Sequence, residues 1–256
     1  MVFGLRRAIV IYLIICLLMS SFLSGQALAD YEDGILPKFN LKASAALDSY
    51  NKYVWRGITL DTDPVLQPGI DISGYGFTLS FWSSLDADNN DAVNSDEVDF
   101  TVDYTRDFEY FSLSCGHTNY DFPATALYSK EWYMGISSSK LFLKPTLIFY
   151  QDYGKEANGG GDGQYVNIGI SHSMPIVESP EITLALSAGA GFNNELFIRG
   201  EGGDFLITAG LGIPLTKNAT LSPAFSYAVP FGDLKDSNDG NQKNRTYGGV
   251  SLAVDF

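Results

Sequence analysis

The side chains of this chain that could do covalent chemistry are few. Only two histidines occur, His117 and His172. In the run His117-Thr118-Asn119 an imidazole and an amide share one face of an extended segment, as a Ser/His/Asn hydrolase would need. The residue two before His117, however, is Cys115 and not Ser. Nucleophilic catalysis requires a hydroxyl beside the imidazole that takes its proton, so the set is incomplete. His172 falls near the opposite end of its own segment. The chain therefore reads as a non-enzyme, with a barrel lipid hydrolase as the remote alternative and interfacial packing as the simpler role of both histidines.

The acidic run 86–97 is the second chemical candidate. Asp86, Asp88, Asn90, Asn94 and Glu97 fall at positions 1, 3, 5, 9 and 12 of an EF-hand spacing. Asp91 stands where that loop needs a sharply turning Gly, and strands rather than helices flank it. A solvated acidic loop is the simpler reading. At most, weak Ca2+ or Mg2+ binding is expected there, bridging lipopolysaccharide phosphates; no cofactor is expected. The glycine-rich Asn158-Gly159-Gly160-Gly161-Asp162-Gly163 lacks the Lys-Ser/Thr of a phosphate loop and reads as an outer loop.

Composition narrows the class. The 256 residues carry 30 acidic and 16 basic side chains, a net charge of −14. Nucleic acid is thereby excluded as a partner, because phosphate binding needs clustered Lys and Arg. Two cysteines, Cys16 and Cys115, cannot make a disulfide scaffold. A hydrophobic content of 45% with 18% charge excludes a disordered chain. The 26 Gly, 17 Phe and 15 Tyr point to β structure.

The first 29 residues read as an address. Arg6 and Arg7 precede an apolar run over 8–23, and Ala27-Leu28-Ala29 offers a small-x-small cleavage site before Asp30. That order predicts a cleaved secretory signal peptide rather than an anchor. Residues 30–38 would then form a short periplasmic segment and 39–256 the folded domain. Cys115 would be the one remaining thiol, expected as a small packed side chain.

The elements that must position these groups follow from a period of two. Ile182, Leu184, Leu186, Ala188, Ala190 and Phe192 alternate with Thr, Ala, Ser and Gly; Leu221, Phe225, Tyr227 and Val229 do the same, as do Val250, Leu252, Val254 and Phe256. Twelve strands are expected, near 39–56, 65–74, 76–86, 97–106, 108–120, 128–138, 140–153, 164–174, 181–192, 204–213, 217–229 and 245–256. Their connections alternate between short (74–76, 106–107, 138–139, 175–180, 215–217) and long (59–64, 87–96, 121–127, 154–163, 193–203, 230–244).

That alternation predicts an all-β fold: an up-and-down antiparallel transmembrane β-barrel with short periplasmic turns and longer extracellular loops. A closed sheet leaves no backbone edge unpaired in lipid. A secreted β-sandwich is the competing fold. It explains neither the very small residues of the polar face nor the aromatics expected as an interfacial girdle: Tyr53, Trp55, Tyr104, Phe192, Tyr227 and Phe256. The expected location is the outer membrane of a Gram-negative bacterium, with lipid, lipopolysaccharide and the barrel assembly machinery as partners. The C-terminal Phe256 on an alternating strand suits such a barrel.

The segment Tyr53-Val54-Trp55-Arg56-Gly57-Ile58-Thr59, followed by Pro64-Val65-Leu66-Gln67-Pro68-Gly69-Ile70-Asp71, resembles the opening signature of the TorF-like family of outer-membrane porins. There an aromatic-x-aromatic-Arg-Gly segment precedes Pro-x-x-Gln-x-Gly-x-Asp; the matching residues here are Tyr53, Trp55, Arg56, Gly57, Pro64, Gln67, Gly69 and Asp71. The resemblance is sharp over 47–86 and implies an outer-membrane barrel with a pore role, without a substrate. Pro68 lacks a ladder donor, so a bulge is expected near it.

Alternation places Lys42, Asp48, Lys52, Arg56, Asp71, Trp82, Glu97, Asp99, Asp103, Lys144, Tyr150 and Asp152 on the lumen wall. Arg56 is expected near the outer mouth on the first strand, in an ion pair or against an anionic solute, with Gly57 ending that strand. Acids outnumber bases, which predicts a channel for small polar or cationic solutes. The alternative is a non-conducting structural or interaction barrel, filled by a network of these charges, with acidic ion- or lipopolysaccharide-binding loops. A large folded-in constriction loop is not expected from such short connections, although the 230–244 loop is long enough to cover the mouth.

Overall fold

The computed structural model describes residues 39–87, 96–154, 162–196, 200–236 and 242–256. The proposed signal peptide and most of the acidic loop, including Asp88, Asn90 and Asn94, lie outside them.

Twelve strands close into an antiparallel barrel: β1 (Lys42–Tyr50), β4 (Val65–Gly74), β5 (Phe77–Asp86), β6 (Glu97–Asp107), β7 (Ser112–Phe122), β8 (Leu127–Ser137), β9 (Thr146–Asp152), β10 (Gln164–Glu178), β11 (Glu181–Asn194), β12 (Glu201–Pro214), β13 (Ala219–Gly232) and β14 (Arg245–Asp255). Each pairs with its sequence neighbour, and β1 closes on β14 with Ala46 opposite Ala253 and Asp48 opposite Ser251. Two further strands, β2 (Tyr53–Trp55) and β3 (Ile58–Asp61), form a separate hairpin inside the β1–β4 connection. A single helical turn, α1 (Asp233–Asp236), follows β13.

The period of two sorts the faces. Outward positions carry large apolar side chains left uncovered, among them Phe100, Met134, Ile168, Ile207 and Phe225, each about half exposed. Such a continuous apolar belt on a closed sheet is what hydrocarbon requires and water penalises. Aromatics gather at both ends of the belt. Phe77, Tyr104, Phe108, Tyr110 and Phe142 lie by the short turns, and Tyr128, Trp132, Phe192 and Tyr227 by the other rim. Inward positions are small or polar, with Ser129 and Ser84 fully buried.

Several boundaries differ from expectation. The first strand stops at Tyr50, not at position 56, because Asn51 ends the pairing with β14: its N–H donates to the Gly248 carbonyl, and its Oδ1 accepts from Gly248 N. The tight turn expected at 138–139 is a longer connection, 138–145, in which Ser138 Oγ accepts from Lys140 N and Leu141 N. The long loop expected at 121–127 shrinks to a turn at 123–126, closed by Thr125 N on the Phe122 carbonyl. At Pro68 the register runs unshifted on both sides, opposite Leu47 on β1 and between the Leu66–Leu85 and Gly69–Trp82 pairs with β5, so the missing donor is absorbed without a bulge. The irregularity lies instead between Pro175 and Val177, near the end of β10.

Candidate functional site

The β2–β3 hairpin folds into the mouth of the barrel, where no large folded-in loop was expected and 230–244 was the candidate cover. Its tip is a two-residue turn between Trp55 and Ile58. Arg56 (φ 47°) and Gly57 (φ 76°) are both left-handed, the requirement of the type I′ turn that matches hairpin twist. Gly57 thus turns the chain and does not merely end a strand. A Cβ there would lie 2.6 Å from Asp204 Cβ and 2.9 Å from Leu234 Cδ2, so only glycine fits under α1 and against β12. Arg56 tolerates the same region at a cost of order 1–3 kcal/mol, which its contacts must offset.

Those contacts form a cage. Arg56 Nη1 and Nη2 donate to Glu131 Oε2 and Oε1 at 2.7 and 2.9 Å, the bidentate fork of an Arg–carboxylate pair. The guanidinium carbon lies 4.1 Å from the Tyr150 ring centre, 4.3 Å from Trp55 and 4.5 Å from Tyr165. Glu131 is fully buried on β8 and also accepts from Tyr120 Oη at 2.9 Å. Tyr165 in turn donates to Asp204 Oδ1 at 2.8 Å, over Gly191, where any Cβ would collide with its hydroxyl. Burial alone would lower the Arg56 pKa, but the hydrogen bonds and charge of Glu131 hold it above the ordinary value, so the side chain is a permanent cation.

The hairpin is fastened along its length. Tyr53 Oη donates to Glu97 Oε2 at 2.8 Å, and its ring packs on Trp82, 5.8 Å between centres. Burial, with the Glu97 carboxylate adding, pushes the Tyr53 phenol well up. On the other strand Thr59 N donates to Gln242 Oε1, and Arg245 Nε donates to Thr59 Oγ1, both at 3.0 Å. The tip therefore spans the mouth from β5 and β6 to β8–β10 and β12. Beneath it, towards the short-turn end, small side chains leave a cavity of about 330 Å³ lined by Ser171, Thr183, Ser187, Thr208 and Ser222, with Lys144 at its rim.

The structure distributes the expected lumen residues unevenly. Arg56, Trp82, Glu97 and Tyr150 meet the hairpin. Asp99 lies beside them, one Oδ1 buried without a hydrogen bond, as is one oxygen of Asp48 on β1. Asp152 is buried and accepts from Ser129 Oγ at 2.6 Å. Asp103 accepts from Tyr133 Oη and Thr105 Oγ1. Lys42 and Asp71 lie exposed towards the short-turn end, and Lys52 follows the end of β1. Lys144 stays at the rim of the cavity but not on a strand: it sits exposed on the 138–145 connection with φ 39°, its Nζ 3.4 Å from Ser173 Oγ, because β9 begins only at Thr146. Among the described residues one ion pair forms, Arg56–Glu131, and not a network of all the lysines.

Other expectations are redirected. Tyr53 and Trp55 point into the mouth and belong to no lipid girdle. Gln67 Nε2 donates to Ser84 Oγ, the Pro64 carbonyl accepts from Ala87 N, and Gly69 lies beside the Trp82 ring. Cys115 is exposed on the outward face and not packed. His117 faces outward and hydrogen-bonds Tyr153 Oη; His172 packs at a tilt against the Phe142 ring and bonds its carbonyl. Phe256 N donates to the Ala43 carbonyl, extending the seam. Of the acidic-loop candidates, Asp86 is buried with its N–H donating to Asp96 Oδ1, while Glu97 is turned to Tyr53. No group of three or more possible metal ligands occurs among the described residues. Glu131, Tyr120, Tyr165 and Asp204 were not anticipated, although each sits on an inward position of an alternating run.

Solved structures of similar shape include the NanC porin, at TM-score 0.53 and 9% identity, covering 82% of this chain and 98% of that one. LpxR from Salmonella typhimurium aligns at TM-score 0.50 and 10% identity, covering 82% and 99%. The outer membrane channel DcaP of Acinetobacter baumannii aligns at 0.44 and 10% identity, covering 85% and 96%. At such identities the likeness to the first two establishes the fold alone: a closed twelve-stranded barrel of the kind found in outer-membrane porins. No curated protein matches the sequence. A family model described as "Bacterial protein of unknown function (Gcw_chp)" matches residues 37–201. The chain, a porin-like β-barrel with its first long connection folded into the mouth, belongs to the Gcw_chp family.

Proposed function

We propose that this barrel is a narrow outer-membrane channel for small polar or cationic solutes, with the β2–β3 hairpin as its constriction. The observation that carries the reading is the excess of acidic over basic side chains at the constriction. Glu97, Asp99, Glu131, Asp152 and Asp204 lie around the hairpin, against two bases that bond it or belong to it, Arg245 and Arg56. Carboxylates in a low-dielectric wall favour cations by field. The cavity below the hairpin gives a waiting volume for a small solute. The signature at 53–59 and 64–71 supports the finer placement among TorF-like porins. Lipopolysaccharide and the barrel assembly machinery are the partners such a barrel would meet. No covalent step is part of this reading, and His117, turned to lipid beside Cys115, does not call for one.

The experiment is planar-bilayer recording of folded protein across a KCl gradient. Small steps with a cation-selective reversal potential are expected, growing when 53–61 is replaced by a short turn. Silence from both proteins overturns the channel. Steps from the shortened protein alone would favour the second reading, a barrel closed by its hairpin, which the complete burial of Glu131 and Val65 supports.

A further inference from the structure

The wall of the cage exists without the hairpin. Glu131, Tyr150 and Tyr165 come from the adjacent strands β8, β9 and β10, and each is held by a neighbour other than Arg56. Tyr120 Oη donates to Glu131, Tyr165 donates to Asp204, and the Tyr150 ring sits between Tyr133 (5.6 Å) and Tyr165 (6.0 Å). These three wall residues contribute a bidentate carboxylate and two aromatic faces, the complement of a planar forked cation. Arg56 reaches them from a segment that is no part of the barrel sheet. In chemical terms it is a tethered guanidinium ligand.

We propose that Glu131, Tyr150 and Tyr165 form a binding site for the guanidinium group of a small solute, with Arg56 as its built-in competitor. The idea deepens the channel reading by naming a solute class for the constriction, though binding itself can be measured without any membrane. A compact, strongly hydrated ammonium gains less from such a site, since it cannot bond both carboxylate oxygens in plane or spread over two rings. A tethered competitor acts at an effective concentration in the mM range, so a free guanidinium compound is held weakly and released readily, as passage requires.

The test is calorimetric titration of detergent-folded protein with methylguanidinium, and with methylammonium as control. Arg56→Ala is expected to bind methylguanidinium at least about tenfold more tightly than the wild type, where Arg56 fills the site, and about tenfold more tightly than Arg56→Ala/Glu131→Gln. Methylammonium should bind Arg56→Ala about tenfold more weakly. Should Arg56→Ala not fold, Gly57→Val leaves Glu131, Tyr150 and Tyr165 unsubstituted while unseating the tip, and the same order of affinities is expected. Equal binding by all variants, or no preference over methylammonium, overturns the proposal. Conductance without this binding would leave the channel standing and remove the site; binding without conductance would do the reverse.

Discussion

Gly57 and Asp204 are 147 positions apart in the chain, yet a methyl group on Gly57 would stand 2.6 Å from the Asp204 β-carbon. The hairpin tip is in van der Waals contact with β12 on the far side of the mouth, and the fit leaves no room for a side chain. Gly57→Ala should therefore combine a left-handed backbone cost with a steric one, together about 1–3 kcal/mol. Urea unfolding in lipid vesicles should show the loss. Gly57→Val should go further and release the tip, read as faster proteolysis within 53–61 while the barrel stays folded.

The Arg56–Glu131 pair should be worth more than a surface ion pair, because removing one partner leaves the other buried. Arg56→Ala is expected to cost about 3–5 kcal/mol. Arg56→Lys should lose less, keeping the charge and giving up the fork. The temperature at which the compact band converts on an unboiled gel should fall in the order wild type, Arg56→Lys, Arg56→Ala. Equal midpoints for all three would show that the hairpin contributes nothing to holding the barrel.

Neighbouring residues on β12 should respond oppositely to the same substitution. Ile207 is 59% exposed on the apolar belt, whereas Thr208 faces the lumen and bonds Ser226. Ile207→Arg should destabilise by about 2–4 kcal/mol if the belt is embedded near mid-bilayer. Thr208→Arg should leave unfolding nearly unchanged and reduce cation current, since it adds positive charge to the cavity below the hairpin. A reversed order would invert the assignment of faces.

Cys115 pairs across the sheet with Tyr104 and Met134, both exposed members of the same belt. Its thiol should react in vesicles with an apolar maleimide that partitions into lipid and resist a charged, membrane-impermeant reagent. Unfolding in urea should abolish the difference. Rapid labelling by the charged reagent in the folded state would place Cys115 in water.

The barrel was legible because its signal is repeated at every residue. Phe205 and Ile207 against Thr208 and Gly210 show which way each side chain points, and twelve such runs leave little freedom. The hairpin was not legible because Tyr53-Val54-Trp55-Arg56 alternates as well, continuing the pattern of β1 without a break. Its one local mark was Arg56-Gly57, and an Arg at the first turn position is not the Asn or Asp that usually announces a type I′ turn. Glu131 carried no mark at all: one acid between Lys130 and Trp132 acquires its meaning only from a partner 75 positions upstream. Pro68 misled for a related reason, since a lost ladder bond can be absorbed where the register on both sides is already pinned.

The seating of the hairpin also has a consequence in time. Tyr53 and Arg56 are made early, but their seats belong to β6, β8, β9, β10 and β12, and Thr59 is held by Gln242 and Arg245 near the end of the chain. Contacts of such long sequence separation form late, after the loops between them have closed. The hairpin can therefore dock only once the wall is assembled, so its docking reports completion: an unfinished barrel keeps Arg56 in water, and a finished one takes it in.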